Sequence, residues 1–327
     1  MKRTGRRKFP TANAMRCGGV LIVLSGLVLG CAKRQPPTIV VIAPTGGVEY
    51  WEIFNREVKT AASADFHVEL AAPQSVTDYT EQAHMVEEAI SRHVQGIIVS
   101  PSHQLVLTSV LRKAEHAHIP VVIVGAPIAL SVNDYAAFIG WDEEEAGRLA
   151  GRRLISLLGG KGEVGIVGIS PTVEGDSLIE KGFEAEIAHT PQVKLVSVRY
   201  GLSDWARDRQ AVLDLMTEHP NIRGIFTTDV FSTHAAAYVF DPGTKKRPAL
   251  IGVSEENNEL TALSQGRIDA LVISNPRDLG ARSMQAMRAA LSGVGARAYS
   301  TQLPVQIVDR GNLATNGVLK SLHEGSM

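Results

Sequence analysis

The chain has 327 residues, 44% of them apolar and 20% charged, the balance of a globular protein with a real core and a length suited to about two domains. Its formal net charge of −1 hides an asymmetry, because the first thirty residues hold Lys2, Arg3, Arg6, Arg7, Lys8 and Arg16 and no acid. Setting those six aside leaves 27 basic residues against 34 acidic ones, so the remainder carries about −7, which argues against nucleic acid as a partner.

The basic start precedes an apolar run over 18–29. A dozen apolar residues are short for a bilayer span and suit the h-region of an export signal. The run ends in Val28-Leu29-Gly30-Cys31, which resembles a bacterial lipobox. That resemblance implies a signal peptide over 1–30, cleavage before Cys31 and lipidation of this cysteine. A short membrane anchor with an incidental cysteine is the alternative. Arg6-Arg7-Lys8-Phe9 also resembles an incomplete twin-arginine signal. The other cysteine, Cys17, lies inside the signal, so the mature chain is expected to have no internal disulfide and no cysteine nucleophile or metal ligand. Residues 31–37 read as a polar, proline-ended tether.

From residue 38 onward apolar runs alternate with amphipathic helical patterns. Strands are predicted over 38–43, 66–71, 96–99 and 120–124, with helices over 49–62, 78–92 and 105–116 between them. Such a βαβαβαβ series implies a parallel sheet with helices on both faces. Residues 137–139 form a short apolar strand, Gly140 permits a tight turn, and Asp142 suits the N-cap of a helix whose first turn holds Glu143, Glu144 and Glu145. Small residues at 146, 147, 150 and 151 allow a neighbouring element to approach closely. A second series follows, with strands over 163–168, 193–199, 224–227, 248–253 and 270–273. Its helices cover 175–188, 204–218, 233–239 and 276–291, and one last strand covers 303–308.

The stretch from Tyr135 to Gly151 resembles the strand-to-helix crossover of the type I periplasmic sugar-binding proteins, the ribose-binding family, whose pattern is an apolar pair, Gly, any residue, Asp-Asn, then Ala-Gly. Here Glu143 stands in place of the Asn. Ile119-Pro120-Val121-Val122, Glu180-Lys181-Gly182-Phe183, Ser203-Asp204-Trp205-Ala206-Arg207, Phe226-Thr227-Thr228-Asp229 and Leu250-Ile251-Gly252-Val253-Ser254 are similar to further family segments, although the helix at 180 lacks the family's arginine. The resemblance implies an α/β fold of two doubly wound parallel-sheet lobes joined by three hinge crossings, near Trp141, Ser274-Asn275 and Val305. One lobe would comprise 38–141 plus 275–305, the other 142–274 plus 306–327. It further implies a small ligand, a sugar by class, in the interlobe cleft.

Sugar rings offer apolar C–H faces to aromatic planes and hydroxyls to polar groups at their edge. Tyr50, Trp51, Trp141 and Trp205 match aromatic positions of that kind, with packing into the core as the alternative role for Tyr50 and Trp205. At the polar positions stand Ser100, Ser177, Asp229, Ser254 and Ser274, which predicts a site less charged and roomier than a ribose site. Glu255, Asn257 and Asn275 lie beside them and could compensate. His116 and His118 sit at a helix end and are not expected to hold metal. Gly159-Gly160-Lys161-Gly162 lacks the features of a phosphate loop, and no nucleophile elbow or triad is apparent, so neither catalysis nor a cofactor is expected. The implied function is a monomeric, lipid-anchored extracytoplasmic binder serving an ABC-type permease. The alternative is a receptor subunit for a transmembrane sensor.

Overall fold

In the computed structural model the described residues are 35–131, 134–240, 247–293 and 299–323. The expected leader and Cys31 lie outside them. The first lobe runs β1 (Thr38–Ile42), α1 (Glu49–Ala62), β2 (His67–Ala71), α2 (Tyr79–Ser91), β3 (Gly96–Val99), α3 (Gln104–His116), β4 (Val121–Val124) and β5 (Ala137–Trp141). The chain then enters the second lobe as α4 (Glu143–Leu158), β6 (Gly162–Gly168), α5 (Glu174–Ala188), β7 (Val193–Tyr200), α6 (Trp205–Glu218), β8 (Ile222–Thr227), α7 (Val230–Val239), β9 (Ala249–Val253), α8 (Asn257–Ser264) and β10 (Ala270–Ile273). It returns as α9 (Pro276–Ser292) and β11 (Tyr299–Leu303), and crosses again to β12 (Gln306–Val308) and α10 (Gly317–His323).

Each lobe has one six-stranded sheet, ordered β11-β5-β4-β3-β1-β2 in the first and β12-β10-β9-β8-β6-β7 in the second. Every pairing is parallel except β10 with β12, which is antiparallel. The central strands Gly-Ile-Ile-Val of β3 and Val-Val-Ile-Val of β4 are buried throughout, as strands covered on both faces must be. Four apolar clusters fill the spaces between sheets and helices, two in each lobe. Both lobes belong to one compact unit that begins at Pro36.

Three elements differ from the sequence reading, one of them the unanticipated short helix α10 (Gly317–His323). The run over 303–308 is not one strand. It divides at Pro304 and Val305 into β11, which completes the first sheet, and β12, which completes the second. A proline donates no ladder hydrogen bond, so the strand breaks there and the chain changes lobes. The helix α8 was not anticipated, because it is short and its sequence, Asn-Asn-Glu-Leu-Thr-Ala-Leu-Ser, has few apolar positions.

The crossover helix α4 begins as expected: the Asp142 side chain accepts a hydrogen bond from the Glu145 N–H at 2.8 Å. Its small residues let α5 lie directly against it. A Cβ on Gly147 would meet the Ile179 carbonyl oxygen at 2.0 Å, and one on Gly182 would meet the Glu144 carbonyl oxygen at 2.0 Å. Neither neighbour is a flexible side-chain end, so only backbone movement could relieve the overlap. Gly147→Ala is therefore expected to destabilise the fold by ~2 kcal/mol or more, read as a fall of several degrees in the thermal midpoint. Gly46→Ala, where the nearest atom is 3.9 Å away, is the control and should shift it by about 1 °C or less.

Candidate ligand-binding cleft

Parallel sheets expose the carboxyl ends of their strands along one edge, and loops gathered there form the usual ligand site. In this chain the two edges face each other across a cavity of about 200 Å³. The first lobe contributes Pro44, Thr45 and Val48 after β1, Tyr50 and Trp51 on α1, Ser100 to Ser102 after β3, Gly125 and Ala126 after β4, and Trp141 at the end of β5. The second lobe contributes Glu143, Ile169, Asp176, Ile179, Thr228, Asp229, Phe231 and the run Val253 to Glu256, with Ser274 and Val305 on the crossings. The mouth is bridged at Glu49, whose N–H donates to Glu256 Oε1 at 2.9 Å and whose carboxylate accepts from the Asn257 side chain at 2.6 Å.

The two walls differ in kind. On the first lobe the aromatic rings pack edge to face, Tyr50 with Trp51 at 5.1 Å and Tyr50 with Trp141 at 5.4 Å between centroids. Gly125 has φ of +74°, and a Cβ there would lie 3.7 Å from Trp51 and 3.9 Å from Trp141, so the backbone turns tightly beside both indoles. The Tyr50 hydroxyl, 3.4 Å from Ser274 Oγ, is raised well above its ordinary pKa by burial and by the nearby Glu255 carboxylate.

On the second lobe the wall carries five carboxylic acids, Glu143, Asp176, Asp229, Glu255 and Glu256, and no Lys, Arg or His lines the cavity among the described residues. Four of the five are held by donors from other residues, Glu143 only by its own backbone N–H. Asp176 accepts from the Ile169 N–H at 2.9 Å and from the Thr228 hydroxyl. Asp229 caps α7 through the Phe231 N–H at 2.8 Å and the Ser232 N–H at 3.1 Å. Glu255 accepts from the Ser274 hydroxyl at 2.9 Å, and Glu256 from Glu49. Glu143, the first residue of α4, is 4% exposed and its Oε1 has no hydrogen-bond partner.

Burial dominates their titration. It pushes Glu143 to about 8, and Glu255 and Glu256 to about 7. Asp176 and Asp229 both shift upward because they are buried, Asp176 further because it faces Asp229.

Of the expected site residues, Tyr50, Trp51, Ser100, Trp141, Asp229, Ser254 and Ser274 line this cavity. Two do not. Trp205 is 47% exposed and packs edge to face on Tyr238 at 5.4 Å, lining a second depression that adjoins the cleft. It opens α6, and its depression shares Val48, Val230, Phe231 and Glu256 with the cleft, so Trp205 stands beside the main cavity without lining it. Ser177 lies one residue past Asp176 on α5, and one helical step of about 100° carries it off the lining face. The pocket, expected to be less charged than a ribose site, carries five acids on its second wall whose pKa values burial raises. Asn275 caps α9, accepting from the Arg277 N–H at 3.1 Å, and Asn257 serves the bridge at the mouth. His116 and His118 are exposed. Among the described residues no cluster of His, Cys, Asp and Glu is arranged to hold a metal, and no helix is long and apolar enough to cross a membrane.

Reasoning from sequence missed Glu143, Asp176, Thr228 and Phe231 as lining residues. Glu143 was signalled by its departure from the Asp-Asn pattern, and Asp176 by its place one residue before the polar position chosen.

A family model described as a periplasmic binding protein domain matches residues 39–295. The chain belongs to that family. Members of the periplasmic binding protein family are solute-binding proteins rather than enzymes. The chain is similar to the D-allose-binding periplasmic protein of Escherichia coli strain K12, 24% identical over 277 residues that cover 81% of this chain and 88% of the relative. It superposes on an ABC transporter solute binding protein from Burkholderia graminis C4D1M in complex with D-arabinose, with a TM-score of 0.80 at 24% identity, covering 87% of this chain and 99% of that one. A Bacillus halodurans C-125 solute binding protein with bound myo-inositol superposes with a TM-score of 0.77 at 19% identity, covering 86% and 98%. These superpositions establish two periplasmic-binding-protein lobes of the type I arrangement.

The acidic wall makes a pH prediction for this binding protein. An acid whose folded pKa is raised stabilises the fold fully below its unfolded pKa, near 4, and loses that contribution as pH rises through the folded value. For Glu143, Glu255 and Glu256 the window runs from about 4 to about 8. The thermal midpoint of the ligand-free protein is expected to fall across that window. Glu143→Gln should raise the midpoint near neutral pH by about 2 °C or more and flatten the slope. Thermal melts of both proteins from acid to mildly alkaline buffer check this, and an identical slope in the variant would contradict it.

Proposed function

We propose that the chain is an extracytoplasmic solute-binding protein that captures a sugar or sugar-like polyol in the interlobe cleft and presents it to an ABC-type permease. The observation that carries this reading is the pairing of an aromatic wall with a polar wall across a gap of sugar size, Tyr50, Trp51 and Trp141 facing Asp176, Asp229 and Ser254. Rings stack on the first wall while hydroxyls reach the second. The family, and the D-allose and D-arabinose printed in the names of its similar proteins, support sugar as the class.

In this proposal the lobes, 38–141 plus 275–305 and 142–274 plus 306–327, move as bodies about the crossings at Trp141, Ser274-Asn275 and Val305. A ligand touching both walls favours closure by its differential affinity for the closed state. The bridge between Glu49 and the Glu256-Asn257 turn belongs to that closed state. Lipidation of Cys31 would hold the protein at the membrane surface as a monomer within reach of the permease.

The test is a thermal-shift panel of pentoses, hexoses, polyols and nucleosides on the protein from residue 38 onward. Binding to the folded state raises the midpoint by mass action. At least one sugar or polyol is expected to give a saturable shift. With that compound, Trp51→Ala should weaken affinity by about tenfold or more, whereas Trp205→Ala should leave it within about threefold. A folded protein that responds to no polyol would contradict the reading.

A further inference from the structure

Among the cavities, charge clusters and exposed patches of the described residues, the acidic wall is the feature that polyol binding leaves without an account. Hydroxyl recognition is served equally by acids, amides and bases, yet this cavity is lined by acids and by no base. Asp176, Asp229, Glu255 and Glu256 each have a structural duty: they accept from backbone or hydroxyl donors within the lobe or across the mouth. Glu143 has none. It faces the cavity, is 4% exposed, and its Oε1 is buried without a partner. A buried carboxylate oxygen without a donor is a destabilising feature, and among the described residues no Lys, Arg or His lines the cavity to relieve it.

The opposite wall bears on the same point. Trp51 and Trp141, packed edge to face on Tyr50 between them, line the same cavity. Aromatic faces attract a cation, Trp most strongly, and do so best where water is excluded. A carboxylate and indoles lining one pocket agree on the sign of the ligand's charge.

We propose that the ligand carries a protonated amine, as an amino sugar or amino-cyclitol does, and that Glu143 receives the ammonium while the indoles of Trp51 and Trp141 flank the ring. This inference rests on the reading of the cleft as a polyol site. The ammonium supplies the donor that Glu143 Oε1 lacks and makes a charge-assisted hydrogen bond, about twice as strong as a neutral one. Burial holds Glu143 near pKa 8 in the ligand-free protein, so an arriving cation draws this carboxyl back to its charged form.

The test compares amine and hydroxyl partners of the same ring: D-glucosamine with D-glucose, D-galactosamine with D-galactose, and an amino-inositol with myo-inositol, by calorimetric titration near neutral pH. In at least one pair the amine is expected to bind about tenfold more tightly or better. Glu143→Gln, which preserves shape and removes the charge, should bring the ratio of the two affinities in that pair to within about threefold of one. The variant's thermal melt and circular dichroism establish that it folds, and Glu143→Asp, which keeps the charge, should retain part of the preference. If neutral members bind as tightly as their amines, the amine inference falls and the sugar binder stands. An amine preference that survives in Glu143→Gln would remove Glu143 from the role. If a folded protein binds no member of any pair and no compound of the wider panel, the polyol reading falls, and this inference with it.

Discussion

Carboxylic acids can be buried at the edge of a parallel sheet because helices begin there. Each strand of the second lobe that reaches the cleft is followed by a helix whose first N–H groups and positive dipole end face the same space. Asp229 uses those groups at α7, Asp142 at α4, and Asp176 takes the backbone N–H groups of Ile169 and Ser170 after β6. The wall is therefore acidic for a structural reason first: these side chains tie the loops of the binding edge to the helices that follow. What the constraint leaves over is Glu143, which lies at a helix start but whose Oε1 meets no donor.

The first lobe is built on a different principle. Its binding edge has few charges and relies on shape. The glycine conformation at Gly125 brings backbone close to Trp51 and Trp141, and Tyr50 fixes both indoles by edge-to-face packing while its hydroxyl touches Ser274 on the crossing to α9. One wall is thus rigid and apolar, the other hydrogen-bonded and acidic. The tight contact of α4 with α5 through Gly147 and Gly182 keeps the acidic wall in place, because the first turns of both helices supply it. The sequence pattern at 135–151 consequently serves the crossing, the helix packing and the site together.

Much of the fold could be read from the chain because parallel strands are apolar along their whole length and are separated by helical periodicity. The Asp142 cap and the small residues of α4 were legible for the same reason: their local chemistry has few other uses. The division of 303–308 between two sheets was not, since which sheet a short apolar strand joins is decided by tertiary pairing. At the site, Tyr50, Trp51 and Trp141 were legible as clustered aromatics at strand ends. Trp205 had the same local signature, yet it packs on Tyr238 in a depression adjoining the cleft, and no periodicity in sequence reports that. Glu143 and Asp176 escaped notice because at a helix N-terminus an Asp or Glu reads as a cap. Only the three-dimensional packing separates those that cap from Glu143.

The central claim is that one cleft, with an aromatic wall from the first lobe and an acidic wall from the second, is where this protein holds its ligand. A crystal structure with the polyol that most raises the thermal midpoint tests it directly. The account predicts density for one ring between the indoles of Trp51 and Trp141 and the carboxyl of Glu143, with both lobes in contact. A ligand held elsewhere, such as the depression beside Trp205, or one touching a single lobe, would contradict it.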